Sequence, residues 1–243
     1  MRTGAVIVLC TALFAACAHG ERDGASRVRV FAAASLTDAF TELERSSPVA
    51  VDFTFAGTPA LLGQLRDGAP ADVLATADEE NMRKAIDGGL VTGATVLARN
   101  RLAIVVPAGN PAHVTGVADL ARPGLKVALC APEVPAGRYA RQMLERAQVA
   151  VTPVTEESNV KAVVSKASLG EIDAGVVYVT DVKAAGAAVT EVGIPDAVNV
   201  MASYEVAVMA SSRNKDRANA FISFARGEVG RRVLADNGFD VVT

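Results

Sequence analysis

Tryptophan is absent, tyrosine occurs three times, and aromatics make up 5% of the 243 residues. A cleft that stacks sugars or bases on aromatic faces is therefore poorly supplied. Basic excess is missing too. The net charge is −3 and no basic face is concentrated anywhere, which argues against a nucleic-acid partner. His113 is the one histidine of the body; it falls in a turn beside Pro111 and reads as a solvated loop residue with no nucleophile spaced to pair with it. GxSxG, P-loop, GxGxxG, CxxC and HExxH are all absent, as are clustered metal ligands, so an enzyme is poorly supported. Cysteine is scarce. Beyond Cys10 and Cys17 near the N-terminus, Cys130 stands alone, which excludes an intrachain disulfide in the body. It lies in an apolar VALC stretch and reads as a small buried hydrophobe. No run is long enough to anchor the chain as a bilayer-spanning helix: Gly4 to Phe14 is too short.

What is present begins with an export signal over residues 1–17, with Arg2, a short apolar segment and small residues. It ends in Leu13-Phe14-Ala15-Ala16-Cys17, which resembles the lipobox of bacterial lipoproteins and so implies a lipid on Cys17. Residues 18–27 are small and polar and read as a flexible tether. The rest of the chain, 51% hydrophobic overall, supports one large domain or two smaller ones.

The body opens on VRVFAAASLTDAF, Val28 to Phe40. Val28, Val30 and Phe31 read as a strand. Leu36, Ala39, Phe40 and Leu43 then follow helical spacing. Ser35 thus falls at a strand-to-helix junction, as the expected N-cap. Helix starts expose unpaired N–H groups and favour negative charge, and the small alanines let a ligand approach the backbone. Two readings stand side by side: an anion seat, or an ordinary capping box with Asp38.

The same build recurs. Strand Val49 to Phe55 leads to Ala56-Gly57-Thr58-Pro59, with Thr58 as expected cap and Pro59 at a first helical position. Strand Lys126 to Cys130 leads to a helix from about Arg138, with only backbone donors around Ala136 and Gly137 at the junction. Glu156-Glu157-Ser158-Asn159-Val160 opens a helix with Ser158 as expected cap. Tyr178 stands near the C-terminal end of strand Ala174 to Val179. Further strands are expected at Val73 to Thr76, Leu102 to Val106 and Tyr204 to Met209, and two closing helices at about Lys215 to Arg226 and Glu228 to Asn237. Alternating strands and helices predict an α/β fold with mostly parallel sheets, whose ligands bind at C-terminal strand ends.

VFAAASLTDAF, GAPADVLATAD, PEVPAGRYA and GVVYVTDV, in this order, resemble the periplasmic molybdate-binding proteins of ABC importers, over about residues 28–240. The resemblance implies a two-lobed type II periplasmic-binding-protein fold with the oxyanion in a cleft between lobes joined by two hinge strands. It assigns residues 28–104 and 205–243 to lobe 1 and 105–204 to lobe 2. It further implies that Ser35, Thr58 and Tyr178 give hydroxyls, Ser35 also a backbone N–H, and Ala136 and Val160 backbone N–H groups, to molybdate or tungstate. The implied setting is a monomeric, exported, lipid-anchored capture protein on the outer face of the cytoplasmic membrane, working with permease and ATPase subunits and no cofactor. Thr58-Pro59 departs from the family's serine-rich loop: the hydroxyl is kept and one backbone donor is lost.

This donor set has a physical logic. Molybdate and tungstate near pH 7 are dianions whose oxygens only accept, so a cleft of donors satisfies them, whereas protonated phosphate needs an acceptor. Arg138 and Lys161, flanking two junctions, are expected as solvated side chains. Sulfate on the same fold is the nearest rival cargo. A secreted hydrolase using Ser35 lacks a base, and a ligand-sensing regulator lacks a DNA-binding segment.

Overall fold

The computed structural model describes residues 27–242. The expected export signal, the expected lipid-bearing Cys17 and all of the expected tether but Arg27 lie outside the described residues. Among the described residues ten strands form one continuous sheet. They are β1 (Val28–Ala33), β2 (Val51–Ala56), β3 (Val73–Thr76), β4 (Thr95–Pro107), β5 (Val127–Cys130), β6 (Thr155–Glu157), β7 (Ala174–Tyr178), β8 (Val189–Val192), β9 (Met201–Val208) and β10 (Asp240–Val241). Their order is β2-β1-β3-β9-β4-β7-β5-β6, with β8 and β10 also paired to β4. Eight α-helices among the described residues cover the sheet: α1 (Thr37–Glu44), α2 (Thr58–Arg66), α3 (Glu79–Asp87), α4 (Pro135–Arg146), α5 (Val160–Ser168), α6 (Val179–Ala185), α7 (Lys215–Arg226) and α8 (Glu228–Asp236).

Strand β1 shows why the first half is buried on both faces. Val28, Val30 and Ala32 enter the main core, whereas Phe31 enters a second cluster with Leu61, Leu62, Leu74 and Met82. Alternation along a strand sends neighbours to opposite faces, so a sheet covered on both sides reads as an unbroken apolar run. On the main-core face Phe40 of α1 packs edge-on against Phe221 of α7, centroids 5.8 Å apart. Leu61, Leu62 and Met82, from α2 and α3, cover the other face.

The expectation of mostly parallel strands holds only at the flanks. β1 runs parallel to β2 and β3, and β5 runs parallel to β6 and β7. Between them β3–β9, β9–β4 and β4–β7 are antiparallel. Strand β4 ties the halves together: its residues up to Arg101 pair with β9, and from Leu102 onward they pair with β7 and β8. It is longer than the apolar Leu102 to Val106 stretch predicts, because Arg99, Asn100 and Arg101 break the hydropathy without breaking the ladder.

Candidate functional site

Parallel strands leave their C-terminal ends on one edge, where the following loops converge. Here the loops after β1, β2 and β3 face those after β5, β6 and β7 across one cavity. Its empty volume is about 230 Å³, below the range of drug-sized ligands. Ser35, Thr58, Ala136, Val160 and Tyr178 all line it, together with Ala33, Ala34, Gly57, Ala77, Val134, Pro135 and Asn159. None of these side chains is ionised at neutral pH.

Ser35 sits in a short 3-10 turn, Ala34–Leu36, that follows β1 directly. It does not cap α1. Its Oγ lies 2.7 Å from the Tyr204 hydroxyl, and Asp38 forms an ion pair with Lys161 instead of completing a capping box. Thr58 is likewise inside its helix: Gly57 is the N-cap, and Thr58 Oγ1 accepts from the Ala77 N–H at a long 3.5 Å. Pro59 follows, so α2 offers one donor fewer at its start. On the opposite wall α4 begins at Pro135, three residues before the expected start, which places Ala136 in its first turn. Helix α5 is capped by Asn159, whose Oδ1 accepts from the Ala162 N–H at 3.1 Å, so Asn159 takes the role expected of Ser158. Val160 is the first residue of that helix. First-turn N–H groups such as those of Ala136 and Val160 have no partner inside their own helix.

Tyr178 ends β7, with its ring edge-on to Tyr204 at 5.8 Å. Its side chain is 1% exposed and its hydroxyl has no hydrogen-bond partner. Burial pushes its pKa well above the ordinary phenol value, with Tyr204 adding to the effect, so the group is a neutral donor. A buried hydroxyl left unsatisfied costs roughly 1–3 kcal/mol, which an acceptor entering the cavity recovers.

Arg138 and Lys161 are not the solvated side chains expected. Arg138 is 19% exposed and pairs with Asp78, which is fully buried, and with Glu80 at 3.1 Å. Lys161 pairs with Asp38 and stands 3.6 Å from buried Asp181. Each reaches from the β5–β7 half to the β1–β3 half, to carboxylates that sequence periodicity does not connect. Burial raises the Asp181 pKa to about 6 against the pull of Lys161. Both cations near the cavity are thus held by carboxylates. His113 is exposed in a turn, and Cys130 is fully buried, where burial pushes its thiol pKa up. Among the described residues no His, Cys, Asp and Glu group could hold a metal ion.

Two residues escaped sequence reasoning. Tyr204 and Asn100 lie behind Ser35, on β9 and β4, and neither lines the cavity. They sit 169 and 65 residues from Ser35 along the chain, and only the β4–β9 pairing, Asn100 with Ala202 and Ala98 with Tyr204, brings them to one face. Asn100 lies between Arg99 and Arg101, outside the apolar Leu102 to Val106 stretch, so no local signal set it apart.

Molybdate-binding protein ModA of Mycobacterium tuberculosis is 38% identical over 98% of this chain and 97% of its own length. The periplasmic molybdate-binding protein of Azotobacter vinelandii shares the fold, with a TM-score of 0.77 and 19% identity over 89% of this chain and all of that one. So does the sulfate-binding protein SubI of M. tuberculosis, with a TM-score of 0.78 and 19% identity over 89% of this chain and 87% of that one. The profile of bacterial extracellular solute-binding proteins matches residues 28–240, and the chain belongs to that family.

Proposed function

We propose that this solute-binding protein captures molybdate, and tungstate with it, and delivers it to the permease of an ABC importer. The observation that carries the reading is the cavity itself. It is lined by hydroxyls, helix starts and small apolar groups with no ionised side chain, and it holds a buried tyrosine hydroxyl without an acceptor. Such a site suits an anion whose oxygens all accept. Hydrogen bonds to an ionised acceptor contribute roughly 1.5–3 kcal/mol each, so several suffice without a neutralising cation. The relationship to ModA supports molybdate as the anion.

On this reading Ser35, Thr58 and Tyr178 donate hydroxyls, and Ala136 and Val160 donate backbone N–H groups. The lobes are residues 28–104 with 205–243, and 105–204, and they hinge where β4 changes partners. Arg138 and Lys161 latch the lobes shut through Asp78, Glu80 and Asp38 without touching the cargo. A lipid on Cys17 anchors a monomer to the outer face of the cytoplasmic membrane.

Calorimetric titration of the purified protein tests the cargo. Molybdate and tungstate are expected to bind below micromolar concentration, and hydrogen phosphate to give no heat. Absence of heat with either metal oxyanion refutes the reading. Sulfate is the second reading, favoured by the fold shared with SubI, and tighter binding of sulfate than of molybdate would establish it.

A further inference from the structure

We propose that Asn100 and Tyr204 are positioning residues that fix the Ser35 hydroxyl as a donor, so that the site admits only fully deprotonated oxyanions. The inference rests on the anion reading above and assigns the discrimination to a hydrogen-bonded chain outside the cavity.

The direction of that chain follows from one end. Asn100 is 1% exposed, and its Oδ1 accepts from the Arg101 N–H at 2.9 Å. Only the amide oxygen can accept from a backbone N–H, so the side chain cannot be flipped, and its nitrogen faces the other way. That nitrogen donates one hydrogen to Thr180 Oγ1 at 2.9 Å and directs the other at the Tyr204 hydroxyl, 3.5 Å away. Tyr204 is fully buried. Its hydroxyl therefore meets a donor on the Asn100 side and has one other hydrogen-bond partner among the described residues, Ser35 Oγ, at 2.7 Å.

Were Ser35 to donate to Tyr204, the phenol proton would have no acceptor, which carries the penalty of an unsatisfied buried hydroxyl. The stable arrangement runs Asn100 to Tyr204 to Ser35. It engages a Ser35 lone pair and leaves the serine proton for the cavity that Ser35 lines. Linked donors polarise one another in the same sense, so the serine proton is a better donor than an isolated hydroxyl would supply. Burial holds the Tyr204 proton in place by raising its pKa well above the ordinary value, with Asp181 contributing. A hydrogen phosphate must place its own proton on an acceptor, and the chain denies it Ser35.

The test is a double-mutant cycle read by calorimetry with molybdate and with inorganic phosphate. Tyr204→Phe keeps the ring, which packs edge-on against Phe239. Tyr204→Phe is expected to weaken molybdate binding about tenfold and to lower the molybdate-to-phosphate preference by a similar factor, because Ser35 is then free to accept. Ser35→Ala weakens molybdate about tenfold or more, and the double variant is no weaker than Ser35→Ala alone. Asn100→Leu repeats the loss of preference in smaller measure and carries the test if Tyr204→Phe fails to fold. Additive losses from Ser35→Ala and Tyr204→Phe, or an unchanged preference in both Tyr204→Phe and Asn100→Leu, overturn the relay while leaving molybdate binding intact. A wild-type protein that ignores molybdate overturns both.

Discussion

The two walls of the cavity are made of different material. On the β1–β3 side the polar groups are side-chain hydroxyls, Ser35 and Thr58. On the β5–β7 side the residues at the helix starts, Ala136 and Val160, have apolar side chains, and Tyr178 alone brings a hydroxyl. On the proposed reading the first wall works through side chains and the second mainly through backbone. Mutation therefore reaches the first wall by removing an atom and reaches the second by disturbing a helix start.

Two glycines sharpen this contrast, and the first gives the largest expected effect. At Gly137, in α4, a Cβ would lie 2.1 Å from the Ala131 carbonyl oxygen and 2.3 Å from that of Cys130, inside one half of the molecule. Gly137→Ala is expected to cost about 3 kcal/mol of stability and to lower Tm by roughly 6–12 °C with or without ligand. Thermal unfolding without ligand checks this, and an unchanged Tm would mean the close approach is soft.

Charge gives the next effect. Asp181 has its pKa raised to about 6 by burial, so between its ordinary 3.8 and about 6 the folded chain holds a proton that the unfolded chain has released. Its contribution to stability therefore falls as pH rises through that window. Relative to Asp181→Asn, the wild type should lose about 2 kcal/mol between pH 4 and pH 7. Denaturant unfolding at both pH values reads the difference, and parallel profiles would contradict a buried, strained carboxylate.

Gly57 is the counterpart of Gly137 across the cleft. A Cβ there would stand 2.2 Å from the Ser158 carbonyl oxygen, on the opposite wall. Gly57→Ala should leave unliganded Tm within about 2 °C and weaken ligand binding roughly tenfold to a hundredfold, because it props the walls apart. Equal damage to stability from both glycine substitutions would erase the distinction between a contact within one half and a contact across the cleft.

The smallest effects separate side chain from backbone on the second wall. Tyr178→Phe should weaken ligand binding about tenfold while stabilising the unliganded protein by about 1 kcal/mol, since it deletes an unsatisfied hydroxyl. Val160→Ala should change affinity less than about threefold and cost about 1 kcal/mol of packing. Paired calorimetry and thermal unfolding check both signs.

Much of this site was legible in the sequence because its residues follow strands directly. The switch from strand to helix spacing after Phe31, Phe55 and Cys130 marks three loops, and Ser35, Thr58 and Ala136 lie at them; β6, Thr155–Glu157, has no strand pattern in the sequence, and the helical spacing from Val160 alone marks the fourth. What was illegible depends on partners distant along the chain. Ser35 looks like a cap until Tyr204, 169 residues away, takes its hydroxyl. Arg138 and Lys161 look solvated until Asp78 and Asp38 arrive from the other half, 60 and 123 residues away. Ser158 and Asn159 compete for one cap, and local pattern does not rank them; in the structure Asn159 Oδ1 reaches the Ala162 N–H. Antiparallel pairing in the middle of the sheet has no local signature either, because β3, β4 and β9 meet only through long connections.

The most direct test of an uncharged donor clamp is anomalous diffraction at the molybdenum edge from crystals grown with molybdate. The account predicts one strong peak in the cavity, within hydrogen-bonding reach through its oxygens of Ser35 Oγ and Tyr178 Oη, with Arg138 and Lys161 still on their carboxylates. A peak elsewhere, or a lysine or arginine swung onto the anion, would contradict it.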